Sequence, residues 1–157
     1  MIRRTGADDW QLLREARLRA LAEEPDAFVE AHAAALAFPE SRWRERAAET
    51  ADSVTFVHEA DGRFDGMVSG FLEGDPETVF LVSMWVAPER RGLGLAQALV
   101  ERVLDWARTR RAGRVLLSVE AGNERAARLY ARCGFVRLAE PPPLPWESDS
   151  PVYELRL

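Results

Sequence analysis

A chain of 157 residues with 47% hydrophobic and 30% charged side chains has the composition of one soluble globular domain. Its formal net charge of −5 disfavours nucleic acid as a partner, and no apolar run reaches the roughly 18 residues of a membrane span. Cys133 is the single cysteine, the N-terminus lacks the apolar core of a signal peptide, and the two histidines have no metal-ligand spacing. We therefore expect a cytoplasmic protein without disulfide or metal.

Hydrophobic periodicity divides the chain into strands and helices. Alternating apolar residues indicate strands, apolar residues three or four apart indicate helices, and Gly or Pro marks the turns. In the first helix the residues with helical spacing include Trp10, Leu13, Arg17 and Leu21. The predicted strands are 1–5, 53–60, 64–73, 78–87, 114–120, 135–138 and 152–157. The first predicted helix follows Asp8 or Asp9, the second lies within 39–50, and the last two cover 95–106 and 123–133.

This order of elements predicts an α/β fold in which helices cover a mixed sheet. The two hairpin-like connections favour a mostly antiparallel sheet of about seven strands, with about four helices. Neither a repeat nor a linker divides the sequence, so we expect a single domain over residues 1–157.

The segment RRGLGLA, residues 90–96, joins an apolar strand to a helix. The first N–H groups of a helix have no partners inside it and bind anions, and glycine lets a phosphate approach the backbone closely. A P-loop would need Lys and Ser or Thr after Gly94, and a dinucleotide fingerprint would need a small residue at Gln97. The segment therefore predicts another kind of phosphate or pyrophosphate site, with Arg91 as a side-chain ligand. The backbone donors would be Leu93, Gly94, Leu95 and Ala96.

A second motif, NERAARLYARCGF, follows behind the next predicted strand. Together the two motifs resemble the GNAT superfamily of N-acetyltransferases. The first signature, Q/R-x-x-G-x-G/A, is matched by 91–96, and the second, N-x-x-A-x-x-L-Y-x-x-x-G-F, is matched over 123–135. The element order also resembles that fold over the whole chain.

The resemblance implies acetyl-CoA as co-substrate and direct transfer of its acetyl group to an amine. It assigns the pyrophosphate to Arg91, Gly92, Leu93, Gly94, Leu95 and Ala96, and the pantetheine arm to Met84, Trp85 and Val86. One backbone N–H of those three strand residues would polarise the thioester carbonyl. Asn123 would contact the cofactor, although Asn is also a preferred helix N-cap. Tyr130 would be the general acid for the departing thiolate, although it also falls on the apolar stripe of its helix.

The general base is the point where the sequence departs from the family. A subgroup that acetylates ribosomal-protein N-termini has a glutamate five residues before the motif asparagine, and here Ser118 stands there. Glu120, which alternation would place on the same strand face, and Glu73 are the candidate replacements, with a water relay as a third alternative. The acceptor of that subgroup is therefore not transferred.

The resemblance implies a small-molecule or peptide amine as acceptor, neither a nucleic acid nor a membrane as partner, and a monomer or homodimer. Converging acidic segments would favour a cationic acceptor. Those segments contain Glu23, Glu24 and Asp26, then Glu73, Asp75 and Glu77, and finally Glu147 and Asp149. Two alternatives remain open: a non-catalytic acyl-CoA-binding sensor, and a protein that binds another phosphate ligand.

Overall fold

The structure is a computed structural model and describes residues 1–28 and 30–157. Within these residues it has seven strands and five α-helices, with short 3₁₀ turns between some of them. The strands are β1 (Ile2–Arg4), β2 (Ser53–Ala60), β3 (Arg63–Leu72), β4 (Thr78–Val86), β5 (Arg114–Ser118), β6 (Val136–Arg137) and β7 (Val152–Arg156). The helices are α1 (Trp10–Glu23), α2 (His32–Leu36), α3 (Glu40–Ala47), α4 (Leu95–Thr109) and α5 (Glu124–Arg132).

All seven strands join one sheet in the order β1-β2-β3-β4-β5-β7-β6. The neighbouring strands are antiparallel except for β4 and β5, which are parallel and are connected through α4. A parallel pair needs such a crossover because the end of the first strand and the start of the second lie at opposite ends of the sheet. The predicted mixed, mostly antiparallel sheet of about seven strands is confirmed.

Helices cover both faces of this sheet. On one face α4 and α5 pack on a core in which Leu99 and Val103 lie with Val68. On the other face α1 and α3 pack on a second core, which includes Leu13 and Met67. Because successive side chains of a strand point to opposite faces, the central strands β3 and β4 are largely apolar on both.

Two segments differ from the sequence prediction. The connection between α1 and α3 contains α2, a helix of five residues, which is too short for a periodic pattern to reveal. The strand predicted over 114–120 ends at Ser118. There the chain turns, since Asn123 donates its N–H to the Glu120 carbonyl at 3.0 Å and Gly122 has φ of 89°. Glu120 therefore does not share a strand face with Ser118.

Strands β4 and β5 stay paired only at their beginning and then separate. On β4 the pairing covers Thr78 to Phe80. Against β3, β4 carries one extra residue between Val82 and Trp85, where Ser83 has φ of 60°. Such a bulge bends its strand and increases the twist. The result is a wedge-shaped opening at the carboxyl ends of the parallel pair.

Candidate active site

The opening between β4 and β5 continues into a cleft with a volume of about 400 Å³. One wall is β4 from Leu81 to Val86, and the opposite wall is formed by 118–120 and α5. The loop 90–94 and the first turn of α4 close one end. A volume of this size is typical of small-molecule sites, and the carboxyl ends of parallel strands are a common place for them.

The backbone of β4 offers hydrogen-bond donors to this cleft. Ala87 donates its N–H to the Asp65 carbonyl of β3 at 2.8 Å. Because N–H groups alternate between the two edges of a strand, that of Val86 faces away from β3 and towards the cleft. The Val86 carbonyl agrees with this direction, since it accepts the Nε–H of Arg91 at 3.0 Å. Met84, which follows the bulge at Ser83, also lines the cleft.

Trp85 lies between these two residues, and its side chain points to the opposite face of the sheet. It is 2% exposed and packs in the core under α1. Its Nε1 donates to Glu23 at 3.0 Å, and the Arg19 guanidinium lies 5.0 Å from its ring. The indole therefore connects β4 to α1 through packing and through this hydrogen bond.

Helix α4 begins at the end of the cleft. Gly94 is its N-cap, has φ of 81°, and has no side chain that could bond the first turn. The first N–H groups of α4 therefore remain available, and the helix dipole favours an anion beside them. Leu93 does not line the cleft and is 76% exposed. The other predicted residues of the segment do, namely Arg91, Gly92, Gly94, Leu95 and Ala96.

The C-terminal end of α1 places two carboxylates against the loop before α4. Arg91 donates to Glu23 at 2.5 Å and to Glu24 at 3.2 Å. Glu24 also pairs with Arg125 of α5 and so joins two arginines that line the cleft. The sequence assigned Arg91 to the phosphate but did not reveal these partners. Residues so far apart in the chain form no local sequence pattern.

Helix α5 places Asn123 and Tyr130 on the opposite wall. Asn123 is the N-cap of α5, and its Oδ1 accepts the N–H of Ala126 at 3.2 Å. Tyr130 lines the cleft, is 5% exposed, and packs edge-on against Phe135. Burial raises the pKa of its hydroxyl above the ordinary value, with a smaller contribution from Cys133. Tyr130 is therefore a neutral hydrogen-bond donor at physiological pH.

The two candidate bases, Glu120 and Glu73, lie in different parts of the structure. Glu120 lines the cleft beside Ser118 and is exposed, although it reaches the cleft from the turn after β5 rather than from the strand. Glu73 follows β3 at the end of the sheet where β4 and β5 are still paired, and it does not line the cleft. The structure thus brings Glu120, but not Glu73, to the other predicted residues.

The acidic segments do not converge. Glu24 lines the cleft, and both Glu23 and Glu24 form ion pairs with arginines. The 73–77 turn precedes β4 at the paired end of the strands, where Asp75 accepts hydrogen bonds from Thr78 and the Glu77 N–H. The late acidic residues line neither this cleft nor the cavity described next. The expectation of a cationic acceptor therefore loses its structural basis.

A second cavity, of about 320 Å³, lies under α1 and α3 on the other face of the sheet. It meets the cleft at the bulge, because Val82 and Ser83 line both. Arg17 and Arg46 line this second cavity. Sequence reasoning did not identify it, although an arginine at position 17, within the apolar stripe of α1, was a possible signal.

Within the described ranges, 1–28 and 30–157, no three His, Cys, Asp or Glu side chains come together as a metal site. In the same part of the chain, no helix combines the length and the apolar character that crossing a bilayer requires.

Sequence comparison connects this geometry to a known family. The profile of the acetyltransferase (GNAT) family matches residues 12–135, which include β4, the 90–94 loop, α4 and α5. An uncharacterized N-acetyltransferase of Mycobacterium tuberculosis is 40% identical over 76 residues, which are 46% of this chain and 49% of the relative. The chain thus spans about half the length of this curated relative.

Solved structures share the fold over their full length. An acetyltransferase of the GNAT family from Streptococcus pneumoniae superposes with a TM-score of 0.80 at 19% identity, covering 100% of this chain and 99% of that one. An N-acetyltransferase of Thermoplasma acidophilum, solved in complex with coenzyme A, has a TM-score of 0.74 at 14% identity, with coverages of 100% and 98%. Since the family profile covers most of the chain and the same fold recurs in these structures, the chain belongs to the acetyltransferase (GNAT) family.

Proposed function

We propose that the protein is an acetyl-CoA-dependent N-acetyltransferase formed by one domain over the whole chain. The observation that supports this most directly is the cleft, where the separated strands, the uncapped start of α4 and Tyr130 all line one space. Family membership supports the same reaction. Acetyl-CoA supplies the thioester whose acetyl group is transferred to the acceptor amine.

The residues of the cleft fit this co-substrate. The N–H groups at the start of α4, with Gly92 and Gly94, are suited to a pyrophosphate. Arg91 would bind the same group once it exchanges its carboxylate partners for phosphate oxygens. Asn123 adds an amide on the facing wall.

The remaining residues serve the transfer itself. Met84 and Val86 line the cleft, and the backbone N–H of one of them donates to the thioester carbonyl oxygen as negative charge develops there. The amine first forms the new C–N bond, and Tyr130 then gives its hydroxyl proton to the sulfur as the C–S bond breaks. Glu120 accepts the amine proton through solvent, because it is exposed and lines the cleft.

Ligand-induced stabilisation tests the cofactor assignment. At about 100 times its dissociation constant, acetyl-CoA should stabilise the fold by about 2.7 kcal/mol. For a chain of this size, the melting temperature should rise by roughly 5–10 °C. ATP and NAD are the controls and should shift it much less. An equal shift with NAD would contradict the assignment.

Turnover then separates the enzyme from the acyl-CoA-binding sensor. Release of free thiol from acetyl-CoA should depend on an added amine, and a protein that binds acetyl-CoA without any such release would be a sensor.

The acceptors named for two relatives differ: one is a streptothricin acetyltransferase of Streptomyces lavendulae and the other an L-2,4-diaminobutyric acid acetyltransferase of Nocardia farcinica. Neither acceptor is therefore transferred to this chain.

A further inference from the structure

The cavity under α1 and α3 has a polar floor beside the cleft. Thr55 of β2, Ser69 of β3 and Val82 of β4 are in register across the three strands, and the Thr55 and Ser69 hydroxyls lie 2.7 Å apart. Neighbouring strands are about 4.8 Å apart, so this row extends about 10 Å away from the bulge at Ser83. A small molecule in the cavity therefore has one end at the bulge, where the thioester would lie.

Arg17 of α1 lines this cavity and is only partly paired. Its Nε donates to Glu30 at 3.1 Å, and its guanidinium lies 4.6 Å above the ring of Phe28, which lines the cleft. Arg17 is 9% exposed, and its Nη1 has no hydrogen-bond partner among the described residues. A buried donor without a partner is unfavourable, so an arginine in this state favours an acceptor group that the described residues do not supply.

The charges around Arg17 leave an excess of positive charge. Glu30 accepts both Nη groups of Arg46, at 3.0 and 2.6 Å, in addition to the Nε of Arg17. One carboxylate is thus shared by two guanidiniums. Glu45, the carboxylate among the lining residues, is exposed on α3, where solvent screens it. Burial, partly offset by Glu30, lowers the pKa of Arg17, which an anion in the cavity would counteract.

We infer that the acceptor is an amino acid with a free carboxylate, which Arg17 binds in the second cavity while the amine lies at the Ser83 bulge. This inference rests on the proposed acetyl transfer and names its acceptor class. A guanidinium with free N–H groups matches a carboxylate in geometry and charge, whereas a purely cationic amine would be repelled. The apolar remainder of the cavity, which includes Leu13 and Met67, would hold the side chain of the amino acid.

The test uses the unmodified protein and matched acceptors. Thiol release from acetyl-CoA is measured with α-, β- and ω-amino acids, with their carboxamides, and with the amines that lack the carboxylate. A charge-assisted hydrogen bond to Arg17 should make kcat/KM for the best free amino acid about 10- to 100-fold higher than for its amide or amine. If the amide or the amine is used equally well, or no free amino acid is used while other amines are, the inference is overturned and the proposed function stands.

Binding provides a readout that does not depend on turnover. Calorimetry compares N-acetyl amino acids with their amides, with coenzyme A present, and the free carboxylate should bind at least about 10-fold more tightly. Equal binding, or none by any carboxylate, overturns the inference. Failure of acetyl-CoA itself to bind would instead contradict the proposed function.

Substitution then assigns the preference to one residue. Arg17→Lys keeps the charge beside Glu30 but loses the planar fork, so the preference for carboxylate over amide should fall by about tenfold. Arg14→Lys on the same helix is the control, because Arg14 does not line the cavity, and its preference should equal that of the parent. An unchanged preference in folded Arg17→Lys would exclude Arg17 as the carboxylate ligand.

Discussion

Among single residues, Tyr130 can be tested with the smallest change to the molecule. Tyr130→Phe keeps the ring, whose centroid lies 5.7 Å from that of Phe135, and removes only the hydroxyl. Because burial raises the pKa of that hydroxyl, the parent side chain is protonated when a thiolate departs. We expect kcat to fall about 10²-fold, as measured by thiol release, while the dissociation constant of acetyl-CoA stays the same.

The second tyrosine of the chain serves as the control. Tyr153 lies on β7, outside the cleft, and is half-buried. Tyr153→Phe should leave kcat close to that of the parent. If Tyr130→Phe also turns over as the parent does, the hydroxyl takes no part in the reaction and the ring only packs.

At the level of elements, the start of α4 depends on the conformation of one glycine. A Cβ at Gly94 would meet no atom within 4 Å, so Gly94→Ala has only the cost of holding φ near 81°, roughly 1–2 kcal/mol. Relaxing that strain would turn the first N–H groups of α4 away from a bound phosphate. We expect a melting temperature lower by about 2–8 °C and a severalfold weaker affinity for acetyl-CoA.

Gly6→Ala is a matched control for this substitution. Gly6 is also exposed and also has room for a Cβ, but its φ of −119° is open to alanine. Its melting temperature should stay the same or rise slightly, because alanine restricts the unfolded chain. Equal effects at both positions would show that the left-handed conformation of Gly94 contributes nothing.

The contact between the end of α1 and the loop before α4 predicts that the charge of Glu24 affects the affinity for acetyl-CoA. Glu24 pairs with Arg91 and Arg125, and a pyrophosphate in the cleft would compete for both. Glu24→Gln should therefore bind acetyl-CoA severalfold more tightly in calorimetry at low salt. The difference should shrink at high salt, because ions screen partly exposed charges.

Glu40→Gln is the control for Glu24→Gln, since Glu40 pairs with Arg44 on α3 and does not line the cleft. Its affinity for acetyl-CoA should match that of the parent. Weaker binding by Glu24→Gln would mean that the carboxylate positions the two arginines rather than competing for them.

For the whole molecule, Asp65 makes stability depend on pH. It is 3% exposed and accepts hydrogen bonds from His58 Nδ1 at 2.5 Å and Arg90 Nε at 2.6 Å. Burial alone would raise the pKa of Asp65, but these partners lower it below the ordinary value. A carboxyl group with a lowered folded pKa stabilises the protein above its unfolded pKa of about 3.9, and this contribution is lost as the pH falls further.

Asp65→Asn should therefore lower the free energy of unfolding by about 3 kcal/mol at pH 7, as measured by urea denaturation. The difference from the parent should stay constant down to about pH 4–5 and then shrink. Asp26→Asn, in an exposed turn, is the control and should change stability little at either pH. A difference that grows as the pH falls would contradict the assignment to the Asp65 carboxylate.

Most residues assigned to the cofactor could be placed at one cleft from the sequence because their signals are local. Position 94 has a positive φ at the start of a helix, which favours glycine, and Asn123 caps the next helix. Each motif therefore reflects the backbone conformation of its own residues. Tyr130 follows at a helical spacing from Asn123. Glu120 was expected on the strand face of Ser118, and this was wrong in detail because strand alternation does not continue through the turn at Gly122.

The sequence by itself determined the order of the strands and longer helices, the mostly antiparallel sheet and the glycine-containing start of α4, because periodicity and turn residues act within a few neighbours. Only the tertiary structure decided where β4 and β5 separate, that Ser83 is bulged, and that Arg17 reaches a cavity meeting the cleft. It also placed Glu73 away from the cleft and Glu24 beside Arg91. These features depend on pairing and packing between residues far apart in the chain, for which a single sequence carries no local pattern.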